Sequence, residues 1–152
     1  MKKAVMGIIF FTCMVFGMTL IAQAATPEEA KSLVEKGAAY MKANGKEKAM
    51  AEFNNPAGDF VKGDLYIFAI DFNGVTLANG GNPKLTGQNL VEMKDPTGKY
   101  FFKEMIALAK SVGSGWVEYS WVNPATKKAQ SKKSWVQRIE GTDILIGCGI
   151  FQ

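Results

Sequence analysis

Asn73-Gly74 lies between two runs rich in β-branched and aromatic residues, Leu65-Tyr66-Ile67-Phe68-Ala69-Ile70 and Val75-Thr76-Leu77-Ala78. Both positions of an Asn-Gly pair tolerate positive φ, so the spacing predicts a hairpin closed by a two-residue turn. One antiparallel pair is thereby set in the middle of the chain. A lone hairpin is marginal in water, so the flanking segments must cover it and extend it.

The preceding segment reads as helix. Thr26-Pro27-Glu28-Glu29 combines a capping residue, a proline suited to the first helical position and the glutamate of a capping box. Ala30, Leu33, Val34, Gly37, Ala38 and Met41 then recur at helical offsets, and Asn44-Gly45 supplies a stop. A shorter helix is expected from Lys46 to Phe53. After the hairpin comes a Gly- and Asn-rich loop from Asn79 to about Asn89, long enough to suggest a functional lid. A second helix is expected from about Lys99 to Ser111. Three strands follow, Trp116–Val122, Lys132–Ile139 and Ile144–Phe151, joined by turns at Asn123-Pro124 and Gly141-Thr142-Asp143. The order predicts an α+β domain: a PAS-like five-stranded antiparallel sheet with a long N-terminal helix and a helix-loop insert beside a pocket.

The first 24 residues read differently. Lys2 and Lys3 precede an apolar run to about Ile21, which ends at Ala22-Gln23-Ala24. That is the order of a secretory signal, with cleavage expected after Ala24 and a periplasmic destination. Residues 25–152 would then form one domain. Without Lys2 and Lys3, 16 basic residues face 14 acidic ones. So small an excess gives no reason to expect nucleic acid as a partner, even with Lys127, Lys128, Lys132 and Lys133 close together. Cys148 is the one cysteine left after Cys13 departs with the signal, so no internal disulfide is expected. Its place between Gly147 and Gly149 in an apolar strand reads as a buried small hydrophobe.

Several segments in fixed order resemble the single Cache domain, type 2, of bacterial sensors. They are Asp71-Phe72-Asn73-Gly74-Val75-Thr76-Leu77-Ala78, Asn82-Pro83-Lys84-Leu85-Thr86-Gly87-Gln88-Asn89-Leu90 and Asp95-Pro96-Thr97-Gly98-Lys99-Tyr100-Phe101. Gly115-Trp116-Val117-Glu118-Tyr119-Ser120-Trp121, Lys132-Lys133-Ser134-Trp135 and Gly147-Cys148-Gly149-Ile150-Phe151 complete the series. Two positions depart from the family pattern: Asn79 stands where His is frequent, and Trp135 where Tyr is frequent. The resemblance implies a sensory domain that binds a small organic acid of the acetate, propionate, pyruvate or lactate class. It also implies signalling through a partner such as a membrane sensor kinase or chemoreceptor, in the stand-alone exported form, with a homodimer as a further expectation.

A small carboxylate in an apolar pocket needs a counter-charge or several hydrogen bonds to replace its hydration. Lys132 is the cation that the resemblance assigns. Tyr119 and Trp121 are two apart in a strand and so share a face. Asn79 and the amides around Gly80 and Gly81 could complete the polar side, and Tyr66, Phe68 and Phe101 the apolar wall. Phe101 and Phe102 are adjacent in the helix, so at most one is expected to face the pocket. For each there is a plainer reading. Lys132 would be a solvated lysine, Tyr119 and Trp121 core aromatics, and Asn79-Gly80-Gly81 simple turn chemistry. Trp135 reads as packing. Closure of the Asn79–Asn89 loop is the conformational step expected on binding.

Catalysis is not expected. The chain has no His, which removes the commonest general base and metal ligand. Asp71-Phe72-Asn73-Gly74 resembles the start of a calcium loop but lacks the later ligands at the required spacing. No phosphate-binding or dinucleotide fingerprint occurs. No metal, cofactor or catalytic residue is therefore assigned. The rival class is an interaction module: its pocket would be filled by core side chains, and its N-terminal helix would pair with another subunit, the Gly37-Ala38 face permitting close helix approach but being equally compatible with plain packing.

Overall fold

The computed structural model describes residues 24–152. The expected signal segment lies almost wholly outside them. Among the described residues no helix is long and apolar enough to cross a membrane.

Helix α1 spans Pro27–Asn44, and both halves of its capping box form. Thr26 Oγ1 accepts from Glu29 N at 3.2 Å, and Glu29 Oε2 accepts from Thr26 N at 2.9 Å. Gly45, at φ +82°, ends α1 and opens α2, Lys46–Phe53. Strands β1 (Val61–Lys62) and β2 (Leu65–Tyr66) make a small hairpin of their own. Then come β3 (Phe68–Asp71), β4 (Thr76–Asn79), helix α3 (Phe101–Ser111), β5 (Ser114–Val122), β6 (Ala129–Arg138) and β7 (Ile144–Phe151).

β3 to β7 form one antiparallel sheet in the order β4-β3-β7-β6-β5. The α+β class, the five-stranded sheet and the N-terminal helix stand as expected. α1 and α2 cover one face around Ile67, Ala69, Ile146 and Cys148, while α3 covers the other around Phe68, Ile70, Val117 and Leu145. With both faces covered, Leu65 to Ile70 and Ile144 to Cys148 are apolar without alternation, as central strands must be. Gly37 faces this core. A Cβ there would lie 3.2 Å from Ile146 Cδ1, so the glycine brings α1 close to its own sheet and is not free for pairing with a second subunit. At Gly37 the plain-packing reading of that face holds.

Three local expectations change. The single strand Leu65–Ile70 breaks at Ile67, whose N–H donates to Phe60 O and whose carbonyl accepts from Gly80 N. The central hairpin is not closed by a two-residue turn. Gly74 N donates to Asp71 O, Asp71 N donates to Val75 O, and only Gly74 has positive φ, at +90°. The Asp71 carboxylate accepts from Asn73 N and Val75 N, both at 2.9 Å, and so favours this three-residue loop. α3 begins at Phe101 and not at Lys99, because Asp95 Oδ1 holds Lys99 N in the turn before it. The Asn79–Asn89 loop is also stitched in place. Thr76 N donates to Gln88 O, Gly87 N donates to Thr76 O, and Thr86 Oγ1 donates to Asn54 Oδ1. These bonds hold the loop against β4 and Asn54 in this structure.

Candidate functional site

A small cavity lies between the sheet and α3. Its walls are Tyr66 from β2, Phe68 and Ile70 from β3, Thr76 and Asn79 from β4, Phe101, Phe102 and Met105 from α3, and Tyr119 and Trp121 from β5. About 20 Å³ is open to the centre of a water molecule. That is room for about one water.

Three sequence features hollow the sheet here. Gly147 and Gly149 both fall on the cavity face of β7. A Cβ on Gly147 would collide with the Phe68 ring, and one on Gly149 with Ser134 Oγ. Removing two side chains from the central strand therefore makes room for groups from its neighbours. The third feature is a bulge in β4. Ala69 pairs with Ala78 but Ile70 pairs with Thr76, leaving Leu77 as an extra residue. The bulge turns Thr76 and Asn79 to the same face, although they are three apart.

α3 is aimed at the cavity by the turn before it. Asp95 Oδ1 accepts from Thr97 Oγ1 at 2.6 Å, Thr97 N at 2.9 Å and Lys99 N at 3.0 Å, and Oδ2 accepts from Ser120 N on β5 at 3.0 Å. The Thr97 hydroxyl, with the Ser120 amide next, lowers this carboxyl to about 2. Phe101 stacks on Tyr119 at 4.6 Å and 7° between planes. Phe102 lies 4.9 Å from Phe101, and both line the cavity. The expectation that at most one would do so fails because the helix meets the cavity by its first turn, where adjacent residues flank the void.

Six residues named from the sequence line this space: Tyr66, Phe68, Asn79, Phe101, Tyr119 and Trp121. Tyr119 Oη and Ser134 Oγ share a hydrogen bond of 3.0 Å. Burial holds both Tyr66 and Tyr119 far above the usual phenol range; Tyr119 pushes Tyr66 further and the nearby Trp121 indole works against it. Asn79 Oδ1 accepts from Gly81 N at 3.1 Å and Asn82 N at 2.9 Å, so the turn takes its oxygen and leaves the amide nitrogen for other work. Gly81 does not line the cavity, and its amide is spent on Asn79. Its role is space, since a Cβ there would come within 2.6 Å of the Tyr66 ring.

Lys132 is not a solvated lysine. It is fully buried, and its Nζ has no hydrogen-bond partner among the described residues. The amine lies 3.9 Å from the Tyr66 ring centroid, 4.8 Å from Phe151 and 5.9 Å from Phe68. It does not line the void; it sits against the cavity-wall ring of Tyr66. Desolvation lowers it to about 7, against weaker opposing effects of Cys148 and Asp64. Its neighbours in sequence differ. Lys127 and Lys128 are exposed, and Lys133 points to the other side and pairs with Glu118 at 3.3 Å. Trp135 packs beside Trp116 on the α1 face. Cys148 is buried there too, and burial pushes its thiol up to about 11.

The sequence reading missed Ile70, Thr76, Phe102 and Met105 as walls, and Ser134 as the partner of Tyr119. Ser134 was legible, because Lys132 and Ser134 are two apart in a strand. Thr76 was not, because strict alternation places it opposite Asn79. The whole is an aromatic box with a buried amine behind one wall and a hydroxyl, Thr76 Oγ1, in another, each without a hydrogen-bond partner among the described residues. At this size the box holds about one water, and a larger guest requires its walls to move.

The comparisons with known proteins agree with this architecture. A family model described as a Cache domain matches residues 28–152. A methyl-accepting chemotaxis protein, McpP, of Pseudomonas putida is 33% identical over 88 residues, which is 58% of this chain and 16% of that protein. A sensor histidine kinase, MctS, of Rhizobium johnstonii is 30% identical over 88 residues, again 58% of this chain and 19% of that protein. The chain thus spans less than a fifth of the length of either relative. Among solved structures, a methyl-accepting chemotaxis protein from Vibrio parahaemolyticus shares the fold, with TM-score 0.70 and 23% identity over 82% of this chain and 86% of that one. A structure described as the basis for carboxylic acid recognition by a Cache chemosensory domain gives TM-score 0.65 and 28% identity, covering 82% and 86%.

Proposed function

The chain belongs to the Cache domain family, and from that premise we propose that it is an exported sensory domain that captures a small monocarboxylate beside Lys132. Its family relatives are sensor domains of chemoreceptors and histidine kinases. The observation that carries the ligand reading is the Lys132 amine, fully buried with no hydrogen-bond partner among the described residues. An unpaired buried cation is costly, and a carboxylate removes the cost by forming a charge-assisted hydrogen bond. Tyr66, which separates the amine from the void, must shift its ring for the acid to reach Nζ. That shift replaces loop closure as the conformational step. The narrow cavity favours the smallest acids, which displace the fewest wall atoms.

No catalytic role is assigned. The domain would report occupancy to a membrane kinase or chemoreceptor through α1, which packs across β7 and β6 on the face opposite Lys132. Residues 1–24 would be removed on export, so the periplasmic protein would begin at Ala25; its intact mass tests this. The same narrowness supports the rival, an interaction module whose pocket needs no ligand. Isothermal calorimetry of the purified protein with acetate, propionate, lactate and pyruvate separates the two. Saturable heat with one site per chain supports the sensory reading. Silence toward all four favours the interaction module.

A further inference from the structure

Thr76 is only 2% exposed, lines the cavity, and carries a hydroxyl with no hydrogen-bond partner among the described residues. Its backbone is fully engaged, with N–H donating to Gln88 O at 2.9 Å and the carbonyl accepting from Gly87 N at 2.8 Å. The branched side chain is held where the Leu77 bulge points it. A valine would fill the same volume without a polar atom. Of the other polar tips of the box, the Tyr119 hydroxyl is already bonded to Ser134. Asn79, on the same β4 wall, has its oxygen tied down and its amide nitrogen left to donate. One wall of an otherwise apolar cavity thus offers hydrogen bonds that the protein itself does not use.

Resting on the carboxylate reading above, we propose that Thr76 sets the ligand class: the cavity prefers a short acid with a second oxygen on its carbon chain, a hydroxyl or carbonyl, over the plain alkanoic acid of the same length. The hydroxyl donates to a ligand carbonyl or accepts from a ligand hydroxyl, and Asn79 is the second donor to the same oxygen. A plain alkyl chain leaves Oγ1 as it is in the empty domain and gains nothing from it. Buried donors and acceptors discriminate well because an unmatched partner stays unpaired.

The test is calorimetric titration of propionate, lactate and pyruvate into the wild-type protein, Thr76→Val and Thr76→Ser, with thermal melts to verify folding. The wild type and Thr76→Ser should bind at least one oxygen-bearing acid about tenfold or more tighter than propionate. Thr76→Val should lose that preference. Equal or tighter propionate binding by the wild type, or a preference kept by Thr76→Val, overturns the inference. If the acids bind without discrimination, only the role of Thr76 falls. If none binds to any variant, the carboxylate reading falls and takes this inference with it.

Discussion

Replacing Lys132 with methionine should make the empty domain more stable while destroying its affinity for acid. Desolvation lowers the amine from 10.5 to about 7. At 1.36 kcal/mol per pK unit, holding the charged form in the fold costs about 5 kcal/mol at pH values below 7. The attraction of the charge to the rings of Tyr66 and Phe151 belongs to that same balance and is not subtracted again. Methionine keeps the apolar stem and has no charge, so a gain of several kcal/mol, about 5 at most, is expected at pH 6. For a domain of this size that raises the melting temperature by roughly 10–20 °C. The sign follows from linkage. Between pH 7 and 10.5 the unfolded chain binds the proton and the folded chain does not, so wild-type stability rises with pH across that window. The advantage of Lys132→Met should therefore be largest below pH 7 and shrink toward pH 10.5. Differential scanning calorimetry at pH 6, 8 and 10 measures it. Acid binding by the same variant should weaken by 2 kcal/mol or more, about 30-fold or more. A variant less stable than wild type at pH 6, or an advantage that does not change with pH, would refute the reasoning.

Proton uptake should accompany binding. A carboxylate beside Nζ restores its charge, and the titratable groups around the amine are Tyr66, Tyr119, Cys148 and the more distant Asp64. At pH 8 close to one proton per acid should be taken up, read from calorimetry in two buffers of different ionisation heat; zero uptake counts against Lys132 as the partner. Asp95→Asn should loosen the turn that aims α3. Wild-type Asp95 titrates at about 2, below the unfolded range, so its contribution is present above about pH 4 and is lost as pH falls toward 2. Acid-induced unfolding followed by circular dichroism should be shallower in that range for Asp95→Asn, and an identical acid limb would contradict the role. Gly147→Ala should destabilise by about 1–3 kcal/mol, because the new methyl collides with the Phe68 ring. Urea denaturation measures that loss.

Much of the fold was legible because it follows from period and punctuation. The capping box at Thr26, the stop at Gly45 and the strand runs to Phe151 each carry their signal locally. What failed was fine geometry set by tertiary contacts. The Asp71 carboxylate reshaped the Asn73-Gly74 turn, and pairing of Leu65-Tyr66 with Val61-Lys62 broke one strand into two. In the site, the aromatic walls came from alternation along β5 and from the apolar run before β3. Lys132 came from family resemblance alone, since four lysines lie close in sequence and only its strand register distinguishes a buried amine from a solvated one. Thr76 stayed hidden because a one-residue bulge inverts the rule that would locate it. Gly81 was misread because a glycine that makes room for the Tyr66 ring looks, in sequence, like one that donates an amide.

A crystal structure of the protein grown with its tightest-binding short acid tests the central claim most directly. The account predicts one carboxylate oxygen within about 3.2 Å of Lys132 Nζ, with the Tyr66 ring displaced from its place over the amine. An acid seated elsewhere, with the amine still buried among Tyr66, Phe68 and Phe151 and bonded to nothing, would contradict it.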